Sequence, residues 1–106
     1  MSTIAENRQD VMERIRSLTP QLRARGVMQL ALFGSFARNT QHAGSDIDLL
    51  VEFAPGKKTF DNFMAVGDML EEKLQRRVEL LTRESLSPHT GQHILQEAQD
   101  VVVASD

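Results

Sequence analysis

The 106-residue chain has no cysteine, tryptophan or tyrosine, three prolines, and five aromatic residues, all phenylalanine. Without cysteine there is no disulfide framework and no thiolate zinc site. Without aromatics in a run there is no ladder for stacking nucleic-acid bases. Lys and Arg number 12 against 15 Asp and Glu, for a net charge of −3. That balance argues against a large nucleic acid as the main substrate, because neutralising phosphates takes clustered cations. No apolar stretch approaches the ~18 residues of a membrane span, and the first residues lack the form of a signal peptide. A cytoplasmic protein is expected. Apolar residues at 41% suffice for a core, and the length suits one domain over 1–106.

What is present is an ordered set of signals. Val27-Met28-Gln29-Leu30-Ala31-Leu32-Phe33 reads as a buried strand. Gly34-Ser35 interrupts it, with Gly allowing a sharp turn and close ligand approach. Ser35 can cap a short helix through Phe36-Ala37-Arg38, whose free N–H groups would suit phosphate oxygens. Arg38 stands one turn on, where a cation reaches either phosphate or a salt-bridge partner. Ten residues after Ser35 comes Ser45-Asp46-Ile47-Asp48, opening a second strand to Phe53. Strand residues i and i+2 share a face, so Asp46 and Asp48 project together. At ~4–6 Å their repulsion is on the order of a few kcal/mol at an effective dielectric near 20. A divalent cation removes that cost, and oxygen ligands select Mg²⁺ or Mn²⁺. A third run, Val78-Glu79-Leu80-Leu81, carries a lone acid. If it pairs beside the aspartate strand, Glu79 faces the same cleft, and three carboxylates can serve two metals.

Taken together, Gly34-Ser35-Phe36-Ala37-Arg38, Ser45-Asp46-Ile47-Asp48-Leu49-Leu50-Val51, Arg77-Val78-Glu79-Leu80-Leu81-Thr82 and Ile94-Leu95-x-Glu97-Ala98 resemble the minimal nucleotidyltransferases of the DNA polymerase β superfamily. The likeness covers roughly residues 27–98. It implies an α/β (α+β) nucleotidyltransferase fold, a small mixed sheet with helices mainly on one face. It implies an enzyme that transfers AMP from ATP to an acceptor hydroxyl, here a tyrosine of a HEPN-domain toxin. The chain would then be the antitoxin of a toxin–antitoxin module and form a hetero-oligomer with its partner. By position, Gly34, Ser35, Arg38 and Ser45 would bind the triphosphate. Asp46, Asp48 and Glu79 would be the catalytic, Mg²⁺-binding acids. The chain departs from the family pattern at Asn39, commonly Gly, and at Glu79, commonly Asp. Asn tolerates left-handed backbone. The extra methylene of Glu moves its carboxylate by over ~1 Å. A binding-only antitoxin of weak catalytic power is the alternative, and nucleotidylation of a small hydroxylated substrate is a third.

The remaining segments read as scaffold. Thr3-Ile4-Ala5-Glu6 has the form of a capping box, and Ile4, Val11, Ile15 and Leu18 mark one helical face. Pro20 ends that helix or starts a second turn. Gln41-His42-Ala43-Gly44 reads as a loop. Ala54-Pro55-Gly56 marks another, with Lys57 and Lys58 on the surface. Thr59 or Asp61 starts a helix with Phe60, Phe63, Gly67, Leu70 and Leu74 inward and Glu71, Glu72, Arg76 and Arg77 outward. Ser87-Pro88 opens the last helix, on which His89 and His93 are surface residues. Val101-Val102-Val103 is expected to be an edge strand or a docking tail.

Overall fold

The computed structural model describes residues 3–103. Helices α1 (Arg8–Ser17) and α2 (Thr19–Ala24) lead into β1 (Val27–Phe33). Then follow α3 (Gly34–Arg38), β2 (Ile47–Phe53), α4 (Phe60–Leu74), β3 (Val78–Thr82), a 3₁₀ turn (Arg83–Ser85), α5 (Pro88–Glu97) and β4 (Gln99–Val102). The strands form one mixed sheet in the order β3-β2-β1-β4. β1 runs antiparallel to both β2 and β4, and β2 runs parallel to β3 with α4 as the crossover. The expected α/β fold is the one observed.

Strand alternation divides the chain between two faces. Leu30, Leu32, Ile47, Leu49 and Val51 point to one side. There they meet Val11 and Ile15 of α1, Leu22 of α2, Phe36 of α3, and Val66, Leu70 and Leu74 of α4. Most of these side chains are fully buried, and each contributes roughly 1.5–3 kcal/mol through removal from water. Ala31, Phe33 and Leu50 point to the other side, where Ile94 of α5 covers them.

The ends of the helices differ from the sequence reading in instructive ways. Thr3 does not cap α1. Asn7 does, its Oδ1 accepting from the Asp10 N–H at 2.8 Å. The preceding arm is pulled out of helical geometry because Ala5 is buried and its N–H donates to the Leu74 carbonyl. Thr3 instead accepts from Arg14, and Ile4 lies exposed. Pro20 starts α2. Thr59 caps α4 by accepting from the Asn62 N–H. Phe60, expected inward, is 77% exposed in the first turn of α4; Val66 takes the core position that the stripe assigned to its neighbour Gly67. Arg76, expected outward, lies past α4 and turns in toward the Phe36 ring. Val101 and Val102 of the valine tail are buried and close the edge strand, while Val103 lies past it and is exposed.

Candidate functional site

The sheet register assembles the site. Asp48 pairs across β1 with Phe33 and across β3 with Glu79, so the three occupy one rung. Gly34 follows Phe33 at the same end. Its φ of +76° suits glycine, and a Cβ placed on it would run into the Asp48 carboxylate. The Gly-Ser turn therefore packs directly over the aspartate because Gly34, its first residue, has no side chain.

Asp48 bears the electrostatic load. Its pKa is raised to about 6, first by burial, then by the charge of Glu79 and a proton that the two carboxyls can share. The charge of Asp46 adds to the rise, and Arg38 partly opposes it. Asp46 itself lies one residue before β2 rather than inside it, yet its charge reaches Asp48. Among the described residues, no three His, Cys, Asp or Glu side chains are already gathered around a common point as a metal ion would need. The donor set nonetheless suits a hard cation: all-oxygen, mutually repelling, half-open to solvent.

The phosphate-side residues match their expected positions only in part. Ser35 does not cap α3; Phe33 holds that position and Ser35 sits in the first turn. Asn39 ends α3 at φ 60°, in the left-handed conformation its side chain tolerates. Ser45 closes its own loop. Its N–H donates to the His42 carbonyl at 3.0 Å and its Oγ accepts from the His42 N–H at 2.9 Å. The hydroxyl proton stays available for a further acceptor. His42 also accepts from the Gly44 N–H, which makes it part of the loop. His89 and His93 stack edge to face on α5, exposed on its surface.

The structure adds one residue to the site. Glu97, the last residue of α5, accepts from the Gly34 N–H at 3.1 Å. It also takes two contacts from the Arg38 guanidinium, at 2.9 and 3.1 Å. A carboxylate thus stands on two groups expected to meet phosphate. The only sequence signal was the Ile94-Leu95-x-Glu97-Ala98 pattern.

Comparison with known proteins agrees with this geometry. The family model of the nucleotidyltransferase domain matches residues 12–101. A Methanocaldococcus jannaschii protein named as a candidate protein adenylyltransferase is 44% identical over 87 residues, 82% of this chain and 92% of its own length. The protein adenylyltransferase MntA of Thermococcus cleftensis is 33% identical over 73% of this chain and 78% of its own. Among solved structures, a candidate minimal nucleotidyltransferase superposes with a TM-score of 0.78 at 28% identity, covering 89% of this chain and 95% of that one. A toxin–antitoxin complex with AMP-PNP gives 0.69 at 25% identity, covering 89% and 74%. The complex of a tri-AMPylated Shewanella oneidensis HEPN toxin with its MNT antitoxin shares the fold, at 0.65 and 20% identity over 92% and 73%. With its model matched over residues 12–101 and the fold shared with a solved minimal relative, the chain belongs to the nucleotidyltransferase domain family, among its minimal members.

Proposed function

We propose that the chain transfers AMP from ATP to a hydroxyl, a tyrosine of a HEPN-domain toxin, and so acts in the cytoplasm as that toxin's antitoxin. The observation that carries the reading is the rung that sets Asp48 against Glu79 beside the Gly34 turn. The named activity of the adenylyltransferase relatives and the HEPN–MNT complex among the fold neighbours support the acceptor.

Gly34, Ser35 and Ser45 would bind the β- and γ-phosphates, and Arg38 would join them once it leaves Glu97. Asp46, Asp48 and Glu79 would hold two Mg²⁺ ions, with Mn²⁺ as the alternative. When bound, these ions supply the positive charge that the triphosphate and the acceptor oxygen require. The acceptor oxygen forms a bond to the α-phosphorus as the bond to the bridging oxygen breaks, and pyrophosphate leaves on the opposite side. The acceptor proton passes to the Glu79 or Asp48 carboxylate. Positioning and charge neutralisation carry the rate.

The test is label transfer from α-phosphate-labelled ATP with Mg²⁺, with the chain alone and with a HEPN-domain toxin as acceptor. Label on the toxin is expected. In the Asp46→Asn, Asp48→Asn double variant it should fall by about 10³-fold or more; undiminished transfer sinks the site assignment.

A second reading, a binding-only antitoxin, is favoured by one observation: Glu97 already occupies the Gly34 amide and Arg38. It predicts that the double variant still neutralises the toxin at one-to-one stoichiometry.

A further inference from the structure

We propose that Arg76 is a positioning residue that sets the distance between the Gly34-Ser35 turn and Asp46. The inference rests on the transferase reading of this site and adds a residue to it.

Arg76 lies in the short connection between α4 and β3. Its Nη1 donates to the carbonyls of Ala43 and Ser45, at 3.0 and 3.1 Å. Its Nε donates to the carbonyl of Ala5 in the N-terminal arm. The guanidinium carbon stands 5.0 Å from the centre of the Phe36 ring. One half-buried cation therefore ties together the arm before α1, the first turn of α3 and the loop before β2.

Two of those contacts bear directly on the site. The Ser45 carbonyl belongs to the same planar peptide as the Asp46 N–H. Holding that carbonyl fixes the direction in which Asp46 leaves the loop. Asp46 needs this because it stands outside β2 and has no ladder to hold it. Phe36 is fully buried and follows Ser35 immediately, so the ring under the guanidinium anchors the phosphate turn. The adjacent Arg77 carbonyl accepts from the Ile47 N–H, which secures the residue on the other side of Asp46. A planar fork that serves three carbonyls and a ring face is a task for Arg and not for Lys.

The experiment compares wild type, Arg76→Lys and Arg76→Met by amide hydrogen exchange on the whole chain and by ATP label transfer to a HEPN-domain toxin. In Arg76→Met, exchange should quicken at 34–38 and 43–47 while β1 and the body of α4 stay protected. The kcat should fall by about 30-fold or more with KM for ATP changing less than about threefold, since displacements near 1 Å carry such costs. Arg76→Lys keeps the charge and should recover part of kcat; it also serves if the Met variant does not fold. Exchange unchanged in either segment, quickened throughout the core, or quickened locally with kcat untouched would each overturn the proposal. If wild type transfers no label, the transferase reading falls, and the exchange pattern alone decides whether Arg76 holds the two segments.

Discussion

The two faces of the sheet have opposite designs although the same strands build both. The face under α1, α2 and α4 is continuous and apolar, with Leu32, Leu49, Leu70 and Ile15 all at zero exposure. The face toward α5 has four buried apolar residues and then gives way to Asp48, Glu79 and the ion pair of Arg38 with Glu97. Residues one apart in β2 serve the two faces: Leu49 for stability, Asp48 for charge. Strand alternation lets a chain of this size keep a dry core within one residue of a repelling carboxylate pair.

The sharpest way to break the comparison is to damage one face and read both. Leu49→Ala on the packed face should cost about 2–5 kcal/mol in urea unfolding, with residual activity tracking the folded fraction. Gly34→Ala on the open face combines positive φ with a collision against Asp48. It should cost about 1–3 kcal/mol, and label transfer should fall further than the loss of folded protein explains. Glu97→Gln removes a partly exposed ion pair, so stability should shift by less than ~1 kcal/mol. Calorimetry with Mg²⁺ and a non-hydrolysable ATP analogue should show affinity rising about threefold, because Arg38 is released from its ion pair.

The smallest effect is in pH. Because the folded pKa of Asp48 is raised from 3.8 to about 6, the folded state binds more protons than the unfolded one between those values. Stability therefore falls as pH rises from about 4 to about 6 and is level above. Asp48→Asn should melt roughly 2–4 °C above wild type at pH 8 and no higher at pH 4. A variant that gains equally at both pH values would show that charge on Asp48 is not what strains this face.

Much of the site was legible because it follows from local rules. The apolar runs and the Gly-Ser interruption locate the strands, and the period of two sets Asp48 on a polar face; Glu79 joins it only through the parallel pairing of β2 with β3, which the structure supplies. What escaped was decided by tertiary contacts. Glu97 reaches Gly34 across 63 residues of sequence, and no local pattern announces such a meeting. Arg76 reads as helix surface until α4 ends at Leu74 and leaves it in a connection that faces Phe36. Thr3 lost the cap to Asn7 because docking Ala5 on Leu74 fixes the arm in an extended path. Phe60 had the right spacing for the core, but it lies in the first turn of α4, beyond the part of the helix that the sheet covers. The likeness to known nucleotidyltransferases pointed to Gly34, Asp48 and Glu79, which the structure brings to one end of the sheet, but not to the Glu97 contact.

The rung shared by Phe33, Asp48 and Glu79 also bears on how the chain finds its fold. A slip of one residue between β2 and either neighbour exchanges the faces of the slipped strand. Asp48 or Glu79 would then be driven in among leucines with no partner, at a cost no core of this size absorbs. The acids thus act as alignment marks during folding. A mis-threaded sheet is rejected by the very charges that a correctly threaded one sets at its open end.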